Sequence, residues 1–411
     1  MLRQMDTGSV KVLVVAPEFP LINQPWMDTY LEQFQKNDVP FKVFSLNQHP
    51  KVYGKKVDRL GFLQYTYSFC LDKKALLSTI LKKFRPIIAT RLALKLHRNG
   101  TLHSLPAWKL LLNALHFAAI ADNFADCTVI HSHSESLSYR FIILAEMLNL
   151  PLVVTFHGLP PAGVPQLSEN KRKALYGYAK RVIVNTEFAK RQVMAFGCEA
   201  NKVTILPQGL PIEDFPFQPA PYPAAGEPLR ILSVGRFHRD KGQHYSLLAL
   251  KRLVNDGLNV RWTFTGSGPG LGKLKKLCKQ LELESRVTFL EGVSSQELLA
   301  LYHQAHIFVL ASIDTPGGHV ETQGVVLQEA QATGSIVIAT RTGGIPDCLN
   351  DGVDSILVKQ QSSQDIYKAT LRLLESKENW PSLRKSARKN VEQRFNSAVV
   401  GQKMKALLVH A

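Results

Sequence analysis

Residues 307–345 read IFVLASIDTPGGHVETQGVVLQEAQATGSIVIATRTGGI, and they carry the clearest indication of the chain's architecture. It begins with a short apolar run, Ile307 to Leu310, and then passes through a loop rich in Gly, Pro and Asp. A helical pattern starts near Gly324, and a second apolar run covers Ile336 to Ala339. These lengths predict a strand, loop, helix, strand unit of a parallel sheet. In such sheets ligands bind where strand ends meet helix N-termini.

Two glutamates mark this unit, Glu321 just before the helical pattern and Glu329 inside it. In a continuous helix their α-carbons would lie roughly 12 Å apart along the axis. The carboxyl groups of a glycosidase pair are about 5 to 9.5 Å apart, so this pair is better suited to hold two parts of a long ligand. The N–H groups of Gly324, Val325 and Val326 form an anion site between them. The alternative is a surface helix with two solvated acids, because glutamate is a common helix former.

A second chemical stretch, GRFHRDKG at residues 235–242, follows another apolar run. Arg236 leaves the predicted strand end, and Lys241 stands beside the predicted helix start, where charge and helix dipole together favour phosphate. A diphosphate carries two or more negative charges, which an Arg and a Lys match better than one cation. The alternative is a solvated turn rich in charge.

Strand and helix patterns alternate over residues 10–206 and start again at residue 230, which is typical of parallel sheets with helices on both faces. Between them, residues 214–228 carry five prolines and predict a linker. We therefore expect an α/β fold of two doubly wound domains facing a central cleft. The predicted divisions are an acceptor-side domain over 1–215, a linker over 216–228, a donor domain over 229–396 and a C-terminal helix over 397–411.

The composition indicates the cellular compartment of the protein and the kind of partner that it binds. Five scattered cysteines without a CxxC pair favour a reduced compartment. The first apolar run is expected to be a strand and not a signal peptide, and no stretch approaches the ~20 apolar residues of a membrane span. The net charge of +17 indicates an anionic partner. No nucleic-acid motif is present, so phosphate or an anionic membrane surface is the expected partner.

Residues 71–98 differ from the rest because they form a long amphipathic run. Leucines and isoleucines alternate there with Lys and Arg. A basic amphipathic segment predicts a helix on a membrane surface. A packed helical hairpin with a solvated basic face is the alternative. The expected location is cytoplasmic and peripheral, on the inner face of the cytoplasmic membrane.

The run ETQGVVLQEA followed by ATGSIVIATRTGG resembles the signature of the retaining glycosyltransferases of family 4, which have the GT-B architecture. The resemblance covers most of the chain. Within the family, the sequence is similar to the glycosyltransferases of bacterial exopolysaccharide synthesis. It implies that Arg236 and Lys241 hold the diphosphate of a nucleotide sugar. It also implies that Glu321 stabilises positive charge beside the transferred sugar and that Glu329 holds the ribose. In this architecture the last helix returns to the first domain.

Other positions carry the resemblance less directly. His157, before Gly158, matches the histidine that contacts the donor sugar. The Gly-rich turn at Gly266 and the pair Gly292 and Val293 match the region around the donor. The loop after the first strand departs from the usual Gly-Gly pair, which puts a donor contact there in doubt. The residues assigned to the acceptor side are Trp26, His131 and His133.

The two histidines at strand spacing, His131 and His133, lack a third metal ligand. An acidic DxD pair is also missing, since Asp314 stands alone. We therefore expect no metal and no cofactor, because the two cations stabilise the leaving diphosphate.

The expected activity is transfer of a hexose from a nucleoside diphosphate sugar, with UDP favoured over GDP, to a carbohydrate or lipid-linked saccharide. It would belong to exopolysaccharide or glycolipid synthesis. The alternative is a non-catalytic nucleotide-sugar or polyanion binding protein that keeps the fold.

Overall fold

The structure, a computed structural model, describes residues 10–20, 25–46, 55–68, 86–98, 102, 106–160, 166–315 and 320–411. The chain divides into two compact units. The first comprises the described parts of Met1–His157, Pro165–Gly209 and Val400–Ala411, and the second those of Gly158–Val164 and Leu210–Val399. Each unit contains one parallel sheet, which confirms the predicted fold class.

The first unit has a seven-stranded sheet in the order β3-β2-β1-β4-β5-β6-β7. Its strands are β1 (Val12–Ala16), β2 (Phe41–Ser45), β3 (Thr66–Ser68), β4 (Val129–Ser132), β5 (Leu152–Phe156), β6 (Arg181–Val184) and β7 (Val203–Ile205). The central strands are apolar on both faces because helices cover both sides of the sheet. The helices of the described residues are α1 (Pro25–Lys36), α2 (Lys55–Arg59), α3 (Pro86–Arg98), α4 (Ala107–Ile120), α5 (Glu135–Leu148), α6 (Glu169–Tyr178) and α7 (Glu187–Ala195).

The second unit has a six-stranded sheet in the order β10-β9-β8-β11-β12-β13. Its strands are β8 (Leu229–Val234), β9 (Val260–Thr265), β10 (Val287–Leu290), β11 (Ile307–Leu310), β12 (Ile336–Thr340) and β13 (Ser355–Val358). Its helices are α8 (Gln243–Asn255), α9 (Leu271–Gln280), α10 (Ser295–Gln304), α11 (Val325–Thr333), α12 (Ile345–Cys348), α13 (Ser363–Glu375) and α14 (Trp380–Arg394).

The strand order fixes where a ligand site belongs in each unit. In the first sheet the order reverses between β1 and β4, and in the second between β8 and β11. At such a switch point the connecting helices leave on opposite faces, so the loops after the two strands separate and open a crevice. The predicted phosphate-binding loop follows β8, and the loop that carries Glu321 follows β11.

The linker does not separate the two units. The long segment of the second unit starts at Leu210, so the predicted linker 216–228 lies within that unit. Backbone bonds explain this: the Leu210 N–H donates to the Phe395 carbonyl over 2.6 Å, and the Gln218 N–H to that of Thr333 over 3.1 Å. These contacts attach the proline-rich chain to the second unit.

The last helix, α15 (Ser397–Val409), begins in the second unit and continues into the first. In the first unit the Lys405 ammonium donates to the Asn37 carbonyl over 2.6 Å. Gly401 packs against Gln33 so closely that a β-carbon at 401 would lie 2.7 Å from the Gln33 Cβ.

Much of the basic segment 71–98 lies outside the described residues, and its described part forms α3. Among the helices in the described ranges, none has the length and apolarity needed to cross a bilayer.

Candidate active site

The loops that follow β8 and β11 pack against each other at the carboxyl edge of the second sheet. The Ile313 N–H donates to the Asp240 carbonyl over 2.8 Å. Gly242 has φ +61°, and a β-carbon there would lie 1.9 Å from the Ala311 carbonyl oxygen. Only glycine fits that approach, because a side chain would overlap the neighbouring backbone. This contact fixes the distance between the two predicted ligand loops.

Lys241 and Glu321 form an ion pair across this junction. The Lys241 Nζ lies 2.5 Å from the Glu321 Oε2, and each side chain is 12% exposed. The Ser312 hydroxyl donates to the same carboxylate oxygen over 3.4 Å. A cation and an anion predicted to act on one ligand are thus already in contact, shielded from water, which strengthens their attraction.

Arg236 is held by a buried acid on its own loop. The Arg236 Nη2 donates to the Asp240 Oδ2 over 3.3 Å, and the Asp240 side chain is 3% exposed. The His238 Nδ1 lies 2.8 Å from the other carboxylate oxygen. The Gln243 amide donates to the Arg236 carbonyl over 2.9 Å. Because the Arg236 side chain remains 47% exposed, its guanidinium is oriented and still open to a ligand.

The start of α11 lies beside this ion pair. Gly324 precedes the helix with φ +73°, and a β-carbon there would lie 3.5 Å from the Glu321 Cγ. The first N–H groups of a helix have no partner within it, so those of Val325 and Val326 provide donors for an anion. The structure therefore brings together the predicted cations, the predicted acid and the predicted helix N-terminus.

Glu329 lies one turn further along α11. The Tyr302 phenol donates to its Oε2 over 2.7 Å. Burial raises the pKa of Glu329, and the bond from Tyr302 opposes that rise. The contact of Glu329 with a ribose stays a prediction. Tyr302 is a partner that the sequence did not predict, since it lies 27 residues away.

The remaining predicted donor residues lie along the same edge of the sheet. A β-carbon at Gly266 would lie 2.1 Å from the Gly235 carbonyl oxygen, so the turn after β9 touches the end of β8. Gly292 and Val293 follow β10, which is two strands from β8. With about 4.8 Å between strands, that places them roughly 10 Å from the phosphate-binding loop.

The backbone of Glu321 is held by the turn after β12. The Gly344 N–H donates to the Glu321 carbonyl over 2.8 Å. A β-carbon at Gly343, which has φ +52°, would lie 2.0 Å from the same oxygen. We expect Gly343→Ala to displace Glu321, and so to lower both the melting temperature and any sugar transfer.

The matched control is Gly352→Ala. Gly352 also has a positive φ, +76°, but no atom lies within 4 Å of a β-carbon there. That change carries only the backbone penalty, about 1–2 kcal/mol. Equal melting temperatures for the two variants in thermal unfolding would show that the turn does not press on Glu321.

The predicted acceptor-side residues form a cluster of rings at the switch point of the first sheet. Trp26 and Tyr30 stand four residues apart on α1. The Trp26 ring centre is 5.0 Å from that of His133 and 4.6 Å from that of His157. The Tyr30 ring centre is 5.3 Å from that of His131. Sequence reasoning missed Tyr30, although its spacing of four from Trp26 places both on one helix face.

Hydrogen bonds order the three imidazoles. The Tyr30 hydroxyl bonds the His131 Nδ1, and the His131 Nε2 lies 2.7 Å from the Thr155 hydroxyl. The His133 Nδ1 lies 3.2 Å from the His157 Nε2, so one of them donates. The His133 Nε2 is buried without a partner among the described residues. Buried N–H groups without a partner are rare, so we assign the proton of His133 to Nδ1, which donates to His157.

Burial keeps these imidazoles neutral. It lowers the pKa of His131 to about 3 and that of His157 to about 4, and it lowers the pKa of His133 well below its ordinary value. Proximity of the rings lowers the pKa of His131 and of His133 further.

The neutral histidines predict an acid-sensitive fold. Between about pH 4 and 6.5 the unfolded chain binds protons at these positions that the folded chain does not, so folding stability is lost as the pH falls. We expect the melting temperature to fall over this range, and to fall less steeply in His157→Gln, which cannot titrate. A wild-type melting temperature that is constant from pH 7 to 4 would contradict the neutral cluster.

The predicted residues therefore gather in two groups. Arg236, Lys241, Glu321 and the start of α11 belong to the second unit, while Trp26, His131, His133 and His157 belong to the first. Their assignment to one pocket stays a prediction. Within the described ranges no group of three or more His, Cys, Asp or Glu has the geometry to hold a metal ion.

Two family descriptions match the chain, and they adjoin. Residues 214–394 match "Glycosyl transferases group 1", and residues 82–214 match "Glycosyltransferase Family 4". Together these matches cover most of the first unit and nearly all of the second.

Relatives and solved structures agree with these matches. WcaL of Escherichia coli K12, assigned as a colanic acid biosynthesis glycosyltransferase, is 30% identical over 219 residues, which is 53% of each chain. The amylovoran biosynthesis glycosyltransferase AmsK of Erwinia amylovora is 27% identical over 78% of this chain and 81% of its own. The crystal structure of Anabaena HepE in complex with UDP has a TM-score of 0.72 at 16% identity, covering 98% of this chain and all of HepE.

Proposed function

The chain belongs to the family 4 glycosyltransferases, and we propose that it moves a hexose from a nucleoside diphosphate sugar to a carbohydrate or lipid-linked saccharide. The anomeric configuration is retained, and UDP is favoured over GDP as the carrier. The synthesis of an exopolysaccharide or glycolipid is the proposed context, because both named relatives are assigned to exopolysaccharide synthesis. The proposed place of action is the cytoplasmic face of a membrane.

The observation that carries this proposal is the Lys241–Glu321 ion pair beside the start of α11. A diphosphate that approaches the N-terminus of α11 meets its N–H groups, the exposed Arg236 guanidinium and Lys241. Lys241 then exchanges its bond to Glu321 for one to phosphate. The exchange removes the Lys241 charge from Glu321, so the negative charge of the carboxylate acts at the point where positive charge develops on the sugar.

The proposed chemistry uses charge more than proton transfer. Arg236 and Lys241 stabilise the departing diphosphate, which takes the proton of the attacking hydroxyl on the same face of the sugar. Such fixed charges act strongly where water is excluded. Glu321 stabilises the sugar cation, and a covalent bond to Glu321 is the alternative. We also propose that His157 contacts the transferred sugar, that Glu329 holds the ribose, and that Trp26, His131 and His133 face the acceptor.

A release assay tests this function. The protein is incubated with UDP-, GDP- and ADP-hexoses, with and without chelator, and free nucleotide is measured. We expect release from UDP-hexose, which a chelator leaves unchanged, and a product whose anomeric configuration by NMR matches the donor. No release from any donor in the presence of candidate saccharide acceptors would favour a non-catalytic binder.

A further inference from the structure

Helices α3 and α4 expose more large apolar side chains than any other part of the described chain. The two helices are consecutive and pack against each other, and we call them the hairpin. Five of the twelve exposed large apolar side chains in the described residues belong to it: Ile87, Ile88, Leu94, Trp108 and Leu112. Trp108 is 64% exposed and Ile87 is 67% exposed. A group of this kind marks an interaction surface, whereas single exposed side chains need no explanation.

These exposed side chains do not lie on the inner face of the helices, which packs against the core. The inner face of α3 is filled by Ala89, Leu92, Ala93 and Leu96, and that of α4 by Leu110, Ala114 and Phe117, all buried. Phe117 packs on Phe141 of α5 with ring centres 5.1 Å apart. The core is therefore complete without the outward apolar residues, which have to be explained separately.

The outward face is also basic. Arg91 stands between Ile87 and Leu94 along α3, and Lys95 follows Leu94 directly. On α4 the Lys109 ammonium lies 5.2 Å from the centre of the Trp108 ring. Lys95 reaches Glu146 of α5 over 2.6 Å. Long basic side chains beside apolar ones suit a membrane interface, because the stem stays in the apolar layer while the charge reaches the headgroups.

The sequence around the hairpin contains no acid at all. Residues 73–121 contain nine Lys or Arg and no Asp or Glu. The whole chain has 33 acids in 411 residues, so a run of this length would ordinarily contain several. Repulsion among these positive charges disfavours coverage of the hairpin by a second copy of the chain.

We propose that the hairpin docks the protein on an anionic lipid bilayer, with Ile87, Leu94, Trp108 and Leu112 entering the headgroup boundary and Arg91 and Lys109 meeting lipid phosphates. A soluble polyanion would account for the charge and leave the apolar residues without a role. The inference deepens the membrane-facing part of the proposed function, yet docking does not require that the protein transfers sugar.

Trp108 provides a direct readout. Of the four tryptophans, Trp262 and Trp380 are buried and Trp26 is partly buried, so Trp108 is the one open to a change of solvent. We expect vesicles of phosphatidylcholine with phosphatidylglycerol to shift the protein's fluorescence to shorter wavelength. Pure phosphatidylcholine should not. Trp108→Phe should lose the shift while the protein still sediments with the anionic vesicles.

The contribution of the basic residues to vesicle binding is tested with two double variants. Each basic residue at an anionic surface contributes about a fivefold increase in partitioning, so Arg91→Glu with Lys109→Glu should lower vesicle sedimentation by at least about thirtyfold. The matched control is Lys275→Glu with Lys279→Glu on α9, an equal charge change at exposed positions of the second unit. Retained UDP affinity in both variants shows that the fold and the donor site are intact.

Four results would overturn docking on lipid. They are the absence of sedimentation with anionic vesicles, equal loss in the two double variants, a fluorescence shift that grows with protein concentration without lipid, and binding to soluble heparin that vesicles do not displace. A protein that docks without releasing nucleotide would contradict the proposed function alone.

Discussion

Glu321→Gln is expected to lower the rate of sugar transfer by about a thousandfold, the size of effect seen when a stabilising group is removed from a transition state. Gln keeps the shape of the side chain and can still accept a hydrogen bond from Lys241, but it carries no charge. The sugar cation therefore loses its nearest anion. Initial rates of nucleotide release from the preferred donor measure the loss.

The same change is expected to leave UDP binding unchanged or tighter. In the free protein the Lys241 ammonium is 2.5 Å from the Glu321 carboxylate, so a diphosphate competes with that acid for Lys241. Removing the negative charge removes the competitor. The control is Glu282→Gln, which also loses a lysine partner, Lys251, but at a site where the Glu282 side chain is 86% exposed. A Glu321→Gln protein that binds UDP much more weakly would contradict the predicted exchange.

Replacement of Arg236 and Lys241 by Ala is expected to weaken UDP binding strongly, in contrast to Glu321→Gln. Each hydrogen bond to a charged group is worth about 1.5–3 kcal/mol, which corresponds to about 10- to 100-fold in affinity. The double variant should therefore bind UDP too weakly to detect by calorimetry. Lys251→Ala, which removes a lysine from its pair with the exposed Glu282, should bind UDP like the wild type.

The two single variants should differ. Lys241→Ala removes the cation that balances the charge of Glu321 beside the diphosphate, which adds repulsion to the lost attraction. Arg236→Ala removes a cation that is 47% exposed, so solvent and salt already screen much of its attraction for a diphosphate. We therefore expect the larger loss for Lys241→Ala, and partial recovery when Glu321→Gln is added to it. Equal UDP affinity in the wild type and the double alanine variant would contradict a phosphate-binding role for both cations.

The sequence predicted the main elements because their signals are local. Ile307–Leu310 forms a predicted strand because the run is apolar, and α11 begins where Gly324 interrupts the pattern. The strand Thr66–Ser68 was missed, since three residues that each carry a hydroxyl give no apolar signal. The long segment of the second unit begins at Leu210, before the prolines, because backbone bonds to distant residues decide that boundary.

The partners of the candidate site were less predictable than its members. Arg236, Lys241 and Glu321 were found from motif and position. That Lys241 and Glu321 bind each other, 80 residues apart, follows only from the adjacency of β8 and β11. Asp240 resembles an ordinary loop acid in the sequence. Its role as the buried support of Arg236 required the structure.

We propose that the junction after β8 and β11 binds a nucleoside diphosphate by exchanging one ion pair for another. A crystal structure of the protein with UDP tests it most directly. We expect both Arg236 and Lys241 within hydrogen-bond distance of the diphosphate, with Lys241 drawn away from Glu321. A diphosphate bound elsewhere, with the Lys241–Glu321 pair unchanged, would contradict it.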